Sequence, residues 1–213
     1  MYLPAKFSET DLPFLVQFIR NHPLGLLISA GSAGLEVSPL PFLYREVDGK
    51  ARLIAHLAKA NDHWRSLSNA NECLVVFQGA ENYVSPSWYP SKQSTHKVVP
   101  TWNYELVQVK GKPSVIESTD WLRTQVGEMT DSMEQQRQHP WQVNDAPADY
   151  IAGQLQAIVG LDIEITEIVG KWRMSQNRSA EDAHGVALGM ADVADPHANP
   201  LVSQIVASRA TDQ

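Results

Sequence analysis

Three segments bring tryptophan together with polar and cationic side chains at short spacing. They are Ser85-Pro86-Ser87-Trp88-Tyr89-Pro90, running on to Lys92; Val99-Pro100-Thr101-Trp102-Asn103-Tyr104; and Gly170-Lys171-Trp172-Arg173-Met174-Ser175-Gln176-Asn177-Arg178. Rings held between prolines make a stiff apolar wall, and adjacent hydroxyl, amide, ammonium and guanidinium groups can orient a polar ligand. That combination suits a planar cofactor with a charged tail. Taken singly, each tryptophan reads more readily as a plug for a barrel end or a subunit contact; three clusters in one chain shift the balance toward a pocket. A fourth stretch, His56-Leu57-Ala58-Lys59-Ala60-Asn61, falls between an expected strand and a short helix. Backbone N–H groups at a helix N-terminus attract phosphate, and Lys59 and Asn61 add a charge and a donor. On spacing alone, the same stretch is an ordinary capped turn with an exposed lysine.

Several familiar signatures are missing from the sequence. There is no Gly-x-Gly-x-x-Gly after a strand, no Walker loop and no Gly-x-Ser-x-Gly elbow. The seven histidines are scattered, and no Cys or His pair repeats at metal-ligand spacing. No two short helices meet at a glycine turn with basic residues on the second. The net charge of -7 disfavours generic duplex binding, which depends on phosphate neutralisation. Between Ser85 and Lys112, however, Lys92, Lys97, Lys110 and Lys112 face only Glu105, a local excess of +3. That stretch reads equally as a solvated loop and as an anion site.

The elements that must position these groups follow from periodicity. Leu12, Leu15, Val16 and Ile19 recur at helical spacing, with a start at Ser8 or Thr10 and an end at His22-Pro23. Strands are expected at 24–30 and 35–44, the two separated by the turn Gly31-Ser32-Ala33-Gly34. Asp48-Gly49 marks a hairpin into a strand at 51–57. A short helix follows at 61–69, capped by Asn61 or Asp62, then a buried strand at 73–77. Residues 83–100 read as loop and 106–116 as strand. Helices are expected at 119–138, 148–157 and 181–190, and a last strand at 161–165. Residues 1–190 read as one domain, and 191–213 as a loosely held polar tail, with room for a short helix. Strands with inserted helices and little βαβ rhythm predict an α+β fold built on an antiparallel barrel. The lone Cys73 sits in an apolar run and reads as a small buried hydrophobe. The N-terminus lacks a signal-peptide core, and no apolar run approaches the roughly 18 residues of a membrane span. A cytoplasmic protein is therefore expected.

Taken in order, these stretches resemble the PaiB-like family of FMN-binding split-barrel proteins. The resemblance rests on Pro23-Leu24-Gly25, Leu40-Pro41-Phe42, His56 to Asn61 with Trp64-Arg65, Ser85 to Lys92, and Lys97 to Tyr104. It continues through Asp145-Ala146-Pro147, Ile158-Val159-Gly160 and Gly170 to Arg178. It implies an antiparallel split barrel with peripheral helices, a homodimer with FMN at the subunit interface, and a role as a negative regulator of transcription. By that resemblance His56, Lys59, Asn61 and Trp64 contact the FMN phosphate and ribityl chain, and the strand with Ser38, Leu40 and Pro41 runs beside the ring. Trp88, Tyr89, Lys92, Trp102 and Asn103 line the dimer cleft; Arg178, Gln176 and Trp172 are weaker candidates. Relatives commonly carry histidine before the Leu-Pro pair, where this chain has Pro39. A flavin-dependent oxidoreductase is the alternative. A haem protein using His22, His56, His63 or His96 follows only by fold analogy.

Overall fold

The computed structural model of the chain describes residues 1–31 and 34–211. Ser32 and Ala33 of the expected turn, and the last two residues of the tail, lie outside the described residues. The strands, in chain order, are β1 Ser8–Glu9, β2 Leu24–Gly31, β3 Gly34–Pro41, β4 Leu43–Val47, β5 Lys50–Ala58, β6 Cys73–Val84, β7 Thr101–Ile116 and β8 Ile158–Arg173. The α-helices are α1 Leu12–Asn21, α2 His63–Leu67, α3 Lys92–Thr95, α4 Thr119–Glu134, α5 Ala148–Gln156, α6 Ala180–Ala191 and α7 Pro200–Thr211. The sheet runs β3-β2-β6-β7-β8-β5-β4, with β1 added to β8. Every pairing given by register is antiparallel, as the α+β expectation requires. No helix among the described residues is long and apolar enough to cross a membrane.

The chain divides into two compact units, through both of which β6, β7 and β8 run. The sheet unit comprises Val16–Phe77 and Gln108–Ile168. Its core holds Leu27, Leu53, Val75, Phe77, Val109, Leu161 and Ile163, all fully buried, each worth about 1.5–3 kcal/mol of apolar transfer. Asp48 and Gly49 both adopt positive φ, 52° and 72°, which is the two-residue turn the strand twist demands; Val47 pairs with Lys50 across it. The expected strand at 35–44 is two strands. Pro41 has no N–H for the ladder, and the chain breaks at Phe42, whose N–H donates to Pro23 O at 2.8 Å. Gly25 is a packing necessity: a Cβ there would stand 2.7 Å from the Phe77 ring. Where α4 and α5 meet, Leu122, Ile151 and Leu155 form a small buried core with Trp121. Cys73 is buried as expected, and desolvation pushes its thiol up to about 12.

The second unit comprises Met1–Leu15, Gln78–Val107 and residues 169–211. Neither expected start of the first helix stands. Ser8 and Glu9 pair with Lys171 and Gly170 as β1, and Asp11 caps α1 by accepting the Phe14 N–H at 3.2 Å. Pro13 then sits in the first turn, where an N–H has no partner to lose. The last strand is 16 residues long rather than five. Alternation is legible only where one face meets solvent, and Val159 to Leu161 and Gly170 to Trp172 are buried consecutively. The loop at 83–100 contains a 3-10 turn, Pro86–Trp88, and α3. The tail is held more firmly than expected: α7 buries Val202 and Val206 completely, and Ser203 Oγ donates to Ala187 O of α6 at 2.7 Å.

Candidate functional site

Seven of the expected site residues lie in the sheet unit and six in the other. In the sheet unit the organising group is one that sequence reasoning named only as a haem option, His63. It is 2% exposed at the start of α2. Its Nε2 lies 2.8 Å from Ser29 Oγ and its Nδ1 2.8 Å from Ser38 Oγ. Asn61 Nδ2 donates to Ser38 Oγ at 3.0 Å, and Asn61 Oδ1 accepts the His63 N–H at 3.2 Å. The simplest proton assignment has Ser38 accept from Asn61 and donate to Nδ1, leaving the His63 proton on Nε2 for Ser29. Desolvation holds the His63 imidazolium below its ordinary pKa, with Glu36 pulling weakly the other way. Nothing local in the sequence signals this chain, because its serines come from β2 and β3.

The N-terminus of α2 offers little to an anion. α2 has five residues, too few for a substantial dipole, and the first N–H is already taken by Asn61. Lys59 offers more. Lys59 is half-buried, and its main chain is pinned by Lys59 N donating to Ala157 O and by Trp64 Nε1 donating to Lys59 O at 3.0 Å. Among the described residues no carboxylate pairs with its ammonium. His56, three residues earlier on β5, meets Gln125 Oε1 through Nδ1 at 2.7 Å. Gln125 is 1% exposed and its Nε2 has no partner among the described residues. Leu40 is buried and Pro41 exposed on β3.

In the second unit the aromatic residues are largely absorbed by packing. Trp88 lies against α6, where a Cβ at Gly189 would stand 2.3 Å from its ring and one at Gly185 2.2 Å from its carbonyl. Its Nε1 donates to Asp195 Oδ2 at 3.1 Å. Ser91 donates twice to Asp182, strapping the same loop to α6. Tyr89 is buried with the Arg178 guanidinium 4.5 Å over its ring. Burial raises the Tyr89 phenol, and Arg178 opposes that rise. Trp172 is 1% exposed and donates Nε1 to Glu105 Oε1 at 2.7 Å. Asn103, also buried, bonds Ser175. Gln176 closes a local clamp, accepting the Met174 N–H and donating to Trp172 O. Lys92 reaches Ser87 Oγ only at 3.4 Å. Trp102 alone of these tryptophans stays open, 53% exposed and edge-on to Tyr83.

A separate surface was not singled out from sequence. On the outer face of the β2–β3 ladder, Leu24 pairs with Pro41, Leu26 with Pro39, Ile28 with Val37 and Ala30 with Leu35. Leu24, Leu26, Leu35 and Val37 are all exposed, and β3 ends the strand order. Its signal was available: once the hairpin register is set, every second residue falls on this face.

The sequence matches the family described as "Putative FMN-binding domain" over residues 1–167. An uncharacterized protein of Emericella nidulans is 32% identical, the match covering 98% of this chain and 97% of that protein. The "Protease synthase and sporulation protein PAI 2" of Bacillus subtilis is 28% identical, with 94% of each covered. Among solved structures, the FAD and heme binding protein from Mycobacterium smegmatis superposes with a TM-score of 0.57 at 18% identity, over 78% of this chain and 73% of that one. At that identity the likeness shows a fold, the antiparallel split barrel with peripheral helices.

Proposed function

Because the chain belongs to the FMN-binding family that it matches over residues 1–167, we propose that it is a homodimeric FMN-binding protein with a role in negative regulation of transcription. The observation that carries the cofactor is the surplus of donors at the β5–α2 corner. Lys59 has no carboxylate, and Gln125 Nε2 beside His56 has no acceptor, among the described residues. FMN brings a phosphate dianion and a row of hydroxyls, so a group rich in acceptors fits residues rich in donors. Lys59 would hold the phosphate, with His56 and Asn61 along the ribityl chain. When bound, the flavin ring supplies redox chemistry that no side chain offers.

The dimer is supported by the apolar β2–β3 face, which is larger than scattered surface residues require and lies at an unpartnered strand edge. The regulatory part rests on the Bacillus subtilis relative, whose name ties it to protease synthase and sporulation. With a net charge of -7, contact with DNA would have to come from local basic stretches such as 85–112.

The purified chain is expected to show flavin absorbance on addition of FMN. Lys59→Ala should weaken FMN by about 1–3 kcal/mol, roughly 5–150-fold, without moving the thermal midpoint. Equal affinity in the two proteins, measured by fluorescence titration, would remove Lys59 from the phosphate site. Leu35→Glu is expected to convert the dimer to monomer in sedimentation; an unchanged mass would acquit this face.

A further inference from the structure

The end of β8 sorts its side chains to two faces. Trp172 turns inward to Glu105, whereas Lys171 and Arg173 share the opposite face with Tyr104 of β7. The N-terminal segment lies over them. Lys171 Nζ donates to Tyr2 O at 3.0 Å and stands 5.8 Å from the Tyr2 ring centre and 5.4 Å from that of Tyr104. The Arg173 guanidinium lies 5.9 Å from the Phe7 ring centre and donates to Trp102 O at 3.0 Å. With Lys6 and Asn177 these groups line a cavity of ≈ 390 Å³, within the range of small-molecule sites.

The charge in this cavity is uncompensated. Lys171 is only 8% exposed, and among the described residues no acid lines the space. The acids on the surrounding elements are engaged elsewhere. Glu105 accepts from Trp172 and from Ala80 N, and Glu9 pairs with Arg209 and accepts the Thr10 and Asp11 N–H groups. Asp11 caps α1. A buried ammonium with one carbonyl and two ring faces retains donors without acceptors, a costly arrangement unless an anion completes it. In a chain of net charge -7, three cations sharing a cavity with no acid make a local field opposite in sign to that of the whole protein.

We infer that this cavity binds a small aromatic carboxylate, its carboxylate meeting Lys171 and Arg173 and its ring lying against Tyr2, Phe7 and Tyr104. The rings distinguish this ligand from inorganic phosphate, which would leave them without a role. The inference stands apart from the flavin reading, which concerns Lys59.

Calorimetric titration of the full chain with benzoate, benzyl alcohol and inorganic phosphate tests it. Benzoate is expected to saturate one site, with the other two probes at least tenfold weaker. Arg173→Gln, at a half-exposed position, should weaken benzoate at least tenfold while the circular dichroism is unchanged. Lys171→Met should do the same if it folds; if it does not, Arg173→Gln decides alone. Lys59→Ala should leave benzoate affinity intact even as it weakens FMN binding. Absent or unsaturable benzoate binding, equal binding of benzyl alcohol or phosphate, full affinity in Arg173→Gln, or lost affinity in Lys59→Ala would each overturn it.

Discussion

At the β5–α2 corner, Ser38, Asn61 and His63 hydrogen-bond one another, while Lys59 has no carboxylate partner among the described residues. Along α6 and the end of β8, the tryptophans are wedged against glycines or bonded to buried carboxylates. Both regions carry residue types that suit a flavin, yet at the first the expected contacts keep polar capacity, in Lys59 and Gln125 Nε2, whereas at the second the expected tryptophans are spent on packing. An aromatic ring contributes to a fold simply by being covered, so packing readily claims it. A lysine contributes little to a core, and one held half-buried without a partner is more informative about a ligand than three tryptophans.

The largest effect should come from the packed region. Trp172→Ala is expected to cost about 3–5 kcal/mol from the cavity, with a further penalty because Glu105 loses a donor while still buried. An unfolding free energy from urea titration within about 1 kcal/mol of the parent would show that Trp172 is not structural, and the contrast between the regions would fail.

A smaller effect separates the His63 chain from ordinary core. Burial holds the folded-state pKa of His63 below its ordinary 6.5. Between those two values the unfolded chain binds more protons than the folded one. Stability is therefore full above 6.5 and declines as pH falls toward the folded value, with a slope of at most about 1.4 kcal/mol per pH unit. His63→Gln should lose that part of the slope. Parallel stability curves for the two proteins between pH 7 and pH 5, set by the roughly 6.5 reference value, would show that His63 does not titrate differently on folding.

The smallest effect is expected at Trp102, half-exposed in a region where its neighbours are buried. Trp102→Ala should change stability by less than about 1 kcal/mol. A clear loss of FMN affinity at unchanged stability would move Trp102 from surface to cofactor wall and narrow the contrast between the two regions.

Much of the fold was legible. The Asp48-Gly49 hairpin, the helical stripe of Leu15, Val16 and Ile19 (Leu12, also expected in it, is exposed) and the apolar run from Cys73 are local patterns, and local patterns survive folding. The length of β8 was not, because consecutive burial erases alternation. The break at Phe42 needed the Pro23 carbonyl, and α7 needed the face of α6. At the candidate site Lys59 was visible as a cation near a turn, but its lack of a partner was not. His63 was overlooked as an organiser because Ser29 lies 34 residues away and Ser38 25.

By itself the sequence determined the antiparallel α+β architecture, the family and the location of the donor-rich corner, since periodicity, turn chemistry and ordered motifs are properties of neighbouring residues. Tertiary structure decided which of those residues remain available. Whether a polar or aromatic group is spent on the fold or left for a ligand depends on partners distant in the chain. Lys171 and Tyr2 lie 169 residues apart, and no spacing rule could have joined them.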